Sequence, residues 1–427
     1  MASTKLTRTF STNSNRKKFT VSFWVKKSQF ASGKAIWGSD DGSGYVWLIF
    51  GSTLYFQQNP SSTIEFNSTA KYRDVNGWYH IVQQVDTAQA TNTNRMKFWI
   101  NGEQVTSWVT ETYPSQNSDL NFTTGSQPLS IGEYGGAYFD GSMSHFHWCD
   151  GYTYDASAFG STDATTGEWK INTSPSVTYG TNGFFILKDG NSVTDQSGNS
   201  NNFTVAGGTL TKTEDNPSNV FCTWNPNYRS ARKDMTLTNG NTFIFEQNSG
   251  DSGVSGTIAV SSGKWYWEQI IAQVNGTNFV VIGGIHTTED WNESPTSWLQ
   301  NNTAGMRDTG NAWKGTSDLG NFTTANPNGD IFGIGFDADN GSVYFWRNGT
   351  ALNSGNAIIT GLDMTKTWIP FGVQHGGARV TTSTNWGNGY FQTTAVSTPG
   401  TNASGNGIFE YDVPTGYTAL STKGLNL

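Results

Sequence analysis

Short runs of aromatic and β-branched residues recur along the whole chain, and glycine, asparagine, aspartate or serine closes each run. In residues 20–25, Val21, Phe23 and Val25 occupy alternate positions and would share one face of a strand. No apolar spacing of three to four residues is sustained over several turns, as an amphipathic helix requires. Alternating runs closed by turn residues are typical of antiparallel proteins, so the sequence predicts an all-β fold.

A repeated hairpin signal predicts two sandwiches rather than one. Apolar residues occupy alternate positions over residues 96–100, which are followed by Asn101-Gly102. The pattern Phe-Trp-x-Asn-Gly occurs there, at residues 98–102, and again at residues 345–349. Asn-Gly is the strongest short hairpin signal, because both central residues of the favoured turn need positive φ. Two hairpins of one kind, far apart in the chain, indicate two separate β-sandwich domains.

Composition excludes several classes of protein. Charged residues are only 14% of the 427 residues, and aromatic residues are also 14%, so the apolar content is carried by rings more than by aliphatic side chains. A net charge of −8 without a basic patch argues against nucleic-acid binding. No apolar run approaches the roughly 18 residues of a membrane span, and the polar residues 1–18 show no secretory signal. Cys149 and Cys222 lack metal-site spacing and are expected in the core.

The first part of the chain resembles laminin G-like, concanavalin A-like jelly rolls over about residues 5–170. The motifs that carry this resemblance are FTVSFWVK (19–26), GWYHIV (77–82), KFWING (97–102), LSIG (129–132) and FDGSMSHFHW (139–148).

The second part resembles SPRY domains over about residues 240–390. The motifs are GKWYWE (263–268), VIGGI (281–285), GDIFGIGFD (329–337), DNGSVYFWRNG (339–349), IPFGV (369–373) and NWG (385–387). Together these patterns predict two antiparallel β-sandwich (jelly-roll) domains joined by an ordered connector. The predicted divisions are a laminin G-like domain (1–175), a connector (176–235), a SPRY-like domain (236–395) and a C-terminal segment (396–427).

The arrangement as a whole is similar to virion surface proteins of tailed phages, often of marine bacteria. The matching features are the direct entry of residues 5–26 into the jelly roll, residues 150–169 that close it, and the ending VPTGYTAL at 413–420. This resemblance implies a non-catalytic protein of the particle exterior, a tail fibre or spike component that binds a host surface glycan or receptor. It also implies other virion proteins as partners and a homo-oligomer. A capsid decoration or structural appendage, and a polysaccharide-cleaving enzyme, are the alternatives.

No catalytic residue is assigned. Retaining glycosidases need two carboxyl groups about 5–5.5 Å apart, and no apolar strand carries such an alternation. Asp337 and Asp339 have the spacing but match turn acceptors before Gly341. His145 and His147 would share one strand face and could bind zinc, yet no third ligand is evident nearby, so a half-buried structural strand is the alternative.

A long polar segment, residues 286–328, is the candidate ligand-binding region. Loops of this length in a compact domain are usually functional, and sugar rings stack on exposed aromatic rings. The predicted ligand-binding residues are Trp291, Trp298, Trp313, His286 and His375. The alternative is that these rings fill the edge of a sandwich.

The first domain offers a weaker candidate for a metal. Laminin G-like domains often hold calcium at the sandwich rim, and the resemblance places Asp40, Asp41 and Asp140 in that role. No other cofactor is predicted. Residues 16–18, Arg-Lys-Lys, form either a solvated turn or an edge that docks on an acidic virion partner.

Overall fold

A computed structural model describes most of the chain. The described residues are 3–29, 34–42, 44–59, 64–122, 127–188, 192–229, 235–246, 251–273, 279–288, 302–325, 328–375 and 380–426. They form two compact units, Met1–Lys212 and Thr213–Leu427. Within these ranges the chain forms β-strands and no α-helix, with short 3-10 turns at Asn92–Asn94, Ala156–Ala158, Asn353–Gly355 and Gly424–Asn426. None of the helical segments described could cross a membrane.

The strands of unit 1, within its described residues, are β1 (Lys5–Thr9), β2 (Lys18–Lys27), β3 (Ala35–Asp40), β4 (Tyr45–Phe50), β5 (Leu54–Asn59), β6 (Ile64–Ser68), β7 (Tyr79–Asp86), β8 (Met96–Ile100), β9 (Glu103–Gln104), β10 (Trp108–Thr112), β11 (Pro128–Ile131), β12 (Glu133–Tyr134), β13 (Ala137–Tyr138), β14 (Gly141–Asp150), β15 (Gly160–Thr162), β16 (Trp169–Ile171), β17 (Phe184–Ile186) and β18 (Thr204–Gly207).

Unit 1 is a sandwich of two sheets. One sheet has the order β10-β6-β5-β4-β3-β11-β1-β18, with β12 and β13 beside β3, and the other has the order β17-β14-β2-β7-β8-β9. Rings from both sheets meet between them: Trp37 lies edge-on to Trp148 at 5.3 Å, and Phe56 lies 5.9 Å from Phe98. Burial of such rings contributes most of the stabilisation of a sandwich core.

The strands of unit 2, within its described residues, are β19 (Trp224–Arg229), β20 (Met235–Thr238), β21 (Phe243–Glu246), β22 (Asp251–Gly256), β23 (Lys264–Gln273), β24 (Phe279–Thr287), β25 (Thr303–Arg307), β26 (Asn311–Lys314), β27 (Ser317–Asn321), β28 (Ile331–Asp337), β29 (Ser342–Arg347), β30 (Thr350–Ala351), β31 (Trp368–His375), β32 (Val380–Asn385), β33 (Tyr390–Phe391), β34 (Thr394–Ala395) and β35 (Thr418–Ala419).

Unit 2 repeats the architecture with different strands. Its sheets have the orders β19-β22-β31-β24-β25-β26-β27 and β20-β21-β32-β23-β28-β29-β30, and β35 adds to β23 in parallel. Trp224 of the first sheet lies edge-on to Trp386, the residue that follows β32 of the second sheet, with ring centroids 5.0 Å apart. Trp267 lies 5.8 Å from the Trp386 ring. The predicted all-β fold of antiparallel sandwiches is confirmed.

Both predicted hairpins are present. Asn101 and Gly102 have φ of 48° and 85°, and Asn348 and Gly349 have φ of 50° and 77°. These values suit the turn type that joins β8 to β9 and β29 to β30. Each asparagine side chain also accepts a backbone N–H from a neighbouring strand, at 2.8 and 2.9 Å. The two turns therefore hold three chain segments each.

The alternation predicted for residues 20–25 is also confirmed, because Val21, Phe23 and Val25 are all fully buried in the unit 1 core. Cys149 and Cys222 are both buried, as expected, and do not form a disulfide.

The predicted connector and C-terminal segment are not separate elements in the described structure. Residues 176–212 belong to unit 1, where β17 pairs with β14 and β18 pairs with β1. Residues from 213 onward belong to unit 2, where β19 pairs with β22. The C-terminal segment supplies β35 and buries Phe409 and Leu420 in the unit 2 core. The scattered apolar residues of the predicted connector and of the C-terminal segment complete the two sandwiches. The polar average composition of both segments hid this role in the sequence.

Candidate functional site

A solvent-open cleft of about 240 Å³ lies where several loops of unit 2 meet. The end of β24, the turn between β26 and β27, and the loop before β31 form its described walls. The walls carry mainly hydroxyl, amide and charged groups, including Thr287, Lys314, Ser317, Asp363 and Lys366. This cleft lies partly within the predicted region 286–328, but the loop before β31 was not predicted to contribute.

Lys314 spans the cleft from the β26–β27 turn to the opposite loop. Its Nζ donates to the carbonyl oxygens of Thr360 and Gly361 at 3.0 and 3.5 Å. The turn is held by a backbone bond from Gly315 to Thr303 at 2.7 Å. Lys314 therefore ties the two walls together and brings a positive charge into the cleft.

Asp363 is fixed by the turn in which it lies. Its Oδ1 accepts the Thr365 hydroxyl at 2.6 Å and the Thr365 backbone N–H at 3.0 Å. These two hydrogen bonds, aided by the charge of Lys366, lower the pKa of Asp363 below its usual value. The Trp368 indole donates to the Asp363 carbonyl at 3.0 Å, which anchors the loop to β31. The carboxylate is therefore ionised and held at neutral pH.

The hydroxyl of Thr287 lacks a hydrogen-bond partner within the part of the chain that the structure describes. Thr287 is 2% exposed and lines the cleft. A buried hydroxyl left unpaired costs about 1–3 kcal/mol, so a ligand group that reaches it would recover part of this cost.

His286, one of the predicted ligand-binding residues, is not among the residues that line this cleft and is 1% exposed. Its Nδ1 is 2.7 Å from the Thr287 carbonyl, which can only accept, so Nε2 accepts the Ser255 hydroxyl at 2.8 Å. Burial lowers the pKa of His286 to about 4. Because Ser255 is fully buried, this Ser–His pair links β22 to β24 and cannot meet a substrate.

The structure places the other predicted binding residues apart from the cleft or leaves them outside the description. Trp313 packs against Val281, Phe371 and Val373 in a small cluster separate from the main core. Trp291 and Trp298 lie outside the described residues. His375 ends β31, and its side chain is not among those described.

His80 in unit 1 has a fixed tautomer that does not suit nucleophile activation. The Trp169 indole donates to Nδ1 at 2.9 Å, so Nε2 carries the proton and donates to the Ser22 hydroxyl at 2.9 Å. A base that activates serine must accept from it instead. Burial lowers the pKa of His80 well below its usual value, to about 3, so the ring stays neutral between stacked indoles.

His145 and His147 share a face, as predicted, but packing occupies both rings. Their centroids are 6.5 Å apart; His147 stacks on Phe185 at 3.9 Å and contacts the Tyr179 hydroxyl at 2.9 Å. Burial, with the neighbouring His145 charge, lowers the pKa of His147 well below its usual value. No cluster of three metal-ligating side chains occurs in the described ranges. The pair therefore serves the packing of β17 on β14.

The three candidate calcium ligands have separate partners. Asp41 forms an ion pair with Arg16 at 2.6 Å, Asp40 accepts the Gly42 N–H at 3.1 Å, and Asp140 accepts from Gln29. Arg16, the first residue of the basic run 16–18, is held by two partners, because it also donates to the Leu120 carbonyl. The described contacts therefore do not bring these carboxylates into one cage.

Glu268, the last residue of the GKWYWE motif, is fully buried and holds the C-terminal segment on β23. Its carboxylate accepts the backbone N–H groups of Glu410 and Tyr411 at 2.8 and 2.9 Å and the Asn385 amide at 3.2 Å. Desolvation raises the pKa of Glu268 to about 7, against the opposing effect of these donors.

Residues 3–155 match the model of the concanavalin A-like lectin/glucanases superfamily. This match agrees with the laminin G-like, concanavalin A-like resemblance noted for the first part of the chain. No curated protein sequence matches the chain.

Among solved structures, the chain is similar to the SPRY domain of human HERC1, with 17% identity over 38% of this chain and 96% of that one, at a TM-score of 0.30. It is also similar to the TRIM65 PSpry domain, with 12% identity over 38% of this chain and 88% of that one, at a TM-score of 0.29. These scores support no assignment, so the SPRY-like domain at residues 236–395 stays a prediction.

Proposed function

We propose that this is a non-catalytic protein of a phage particle exterior that binds a saccharide in the unit 2 cleft, as a tail fibre or spike component. The observation that carries the proposal is a polar cleft containing a buried hydroxyl, that of Thr287, with no described partner. Its volume of about 240 Å³ lies below the roughly 300–1,000 Å³ of drug-sized sites, so it suits one sugar residue.

Two further features support saccharide binding. Residues 3–155 match a family described as lectins and glucanases; they lie in unit 1, so this match supports saccharide binding by the chain and does not locate it at the cleft. The low charged fraction of 14% also gives surfaces that offer hydrogen bonds more than ion pairs. Such contacts persist in a salty medium, where exposed ion pairs are screened.

Because the family that matches residues 3–155 includes glucanases, polysaccharide cleavage is the competing function. The described Ser–His contacts are buried or have the wrong proton direction, and Glu268 is enclosed by backbone donors. These contacts favour binding without cleavage. Incubation of the purified chain with host polysaccharide is expected to release no reducing sugar, and sustained release would overturn this part of the proposal.

The position of the chain on the phage particle tests the proposed role as a tail fibre or spike component. We expect gold-labelled antibodies against the purified chain to decorate the tail of intact particles, and excess purified chain to reduce adsorption to host cells. Ser317→Trp, which fills the cleft, should abolish this competition, and Thr350→Trp on exposed β30 should not. Label confined to the head would instead identify a capsid decoration.

A further inference from the structure

We propose that the cleft selects a sugar that carries a carboxylate, a hexuronate, over its neutral parent hexose; this inference rests on the proposed function. The cleft walls hold two ammonium groups, Lys314 and Lys366, and one carboxylate, Asp363. Among the described cleft residues, positive charges therefore outnumber negative ones, in a chain whose net charge is −8. An anionic ligand is favoured at such a place.

Lys314 offers its positive charge to a ligand carboxylate. Its described partners are neutral carbonyl oxygens, and no carboxylate lies within ion-pair distance of it in the described part of the chain. Lys366, by contrast, lies near enough to Asp363 to lower the pKa of that carboxyl. An ammonium has three protons, so the two carbonyls leave one proton of Lys314 for a ligand carboxylate.

Asp363 supplies the complementary acceptor. Its described hydrogen bonds use Oδ1 alone, which leaves Oδ2 to accept from ligand hydroxyls. Thr287 and Ser317 also line the cleft, and a hydroxyl group can donate or accept a hydrogen bond. A hexuronate has one carboxylate and several hydroxyls. It therefore matches the cleft in one orientation, with its carboxylate toward Lys314 and its hydroxyls toward Asp363.

Calorimetry on the full chain tests this selection. Glucuronate and galacturonate are compared with glucose and galactose at low and at physiological salt, with sulfate as a general anion probe. We expect at least one hexuronate to bind about tenfold tighter than its parent hexose, since a charge-assisted hydrogen bond is gained. Added salt should narrow this ratio, and sulfate should not displace the sugar.

Variants separate the charge from the shape of the cleft. Lys314→Gln should reduce hexuronate affinity about tenfold, to the level of the parent hexose. Lys423 is an exposed lysine elsewhere in unit 2, and Lys423→Gln should change the affinity for neither the hexuronate nor the hexose. Lys366 does not bridge the two walls of the cleft, so Lys366→Gln should weaken hexuronate binding less than Lys314→Gln does. Unchanged melting temperatures would show that the variants fold.

The outcomes also separate the two proposals. Equal affinity for hexuronate and hexose, both lost in Ser317→Trp, would overturn the selection while supporting saccharide binding. Displacement by sulfate would reduce the site to an anion site and overturn the selection. Binding of neither sugar class would overturn both proposals.

Discussion

Glu268→Gln gives the sharpest stability prediction, because the pKa of Glu268 is raised from 4.5 to about 7 in the folded chain. The sign follows from this direction: the fold disfavours the ionised form. The contribution of Glu268 to stability is therefore greatest below pH 4.5, falls as the pH rises to about 7, and is constant above that. One pKa unit corresponds to about 1.4 kcal/mol, so between pH 5 and 8 the wild type should lose about 2–3 kcal/mol relative to the variant.

Urea unfolding followed by tryptophan fluorescence measures this difference at each pH, with the unit 2 transition identified by its response to the variant. Taking the difference between wild type and Glu268→Gln removes the titration of groups common to both. Glu410→Gln is the matched control, because Glu268 contacts the backbone N–H of Glu410 rather than its side chain. The control should keep most of the pH dependence. A difference that stays flat from pH 5 to 8 would refute the reasoning.

Three further predictions concern unit 1. Gly102→Ala should destabilise it by about 1–3 kcal/mol, because φ is +85° and the added Cβ would meet the Trp169 ring. Gly167→Ala, with φ of +73° and open space, should cost less in the same denaturation assay, and equal losses would remove the steric argument. Trp148→Ala should cost about 3–5 kcal/mol in thermal unfolding, since the side chain is 1% exposed. Burial raises the pKa of Cys149 to about 12, so this thiol should resist alkylation, scored by mass spectrometry, until the chain unfolds; rapid native labelling would contradict its burial.

Local chemistry made the fold predictable. The Asn-Gly turns at 101–102 and 348–349 are specified by the residues themselves, because only a few residue types tolerate consecutive positive φ. The alternation of Val21, Phe23 and Val25 likewise specifies a strand that places these three side chains on its core face. Both signals lie within a few residues, so no long-range information is required to read them.

Long-range pairing placed the candidate site beyond sequence reasoning. Lys314 meets Thr360 across 46 residues, and Glu268 meets Glu410 across 142 residues. The burial of His286 was equally beyond sequence reasoning, because a histidine in a polar segment gives the same sequence signal whether it is buried or exposed. The polar character of residues 286–328 was the available signal, and it located one wall of the cleft.

The most direct test of saccharide binding through the cleft is a glycan array probed with the full chain and with Ser317→Trp and Thr350→Trp. We predict that the wild type and Thr350→Trp bind the same subset of glycans and that Ser317→Trp binds none of them. Retained binding by Ser317→Trp, or no binding by the wild type, would contradict the account.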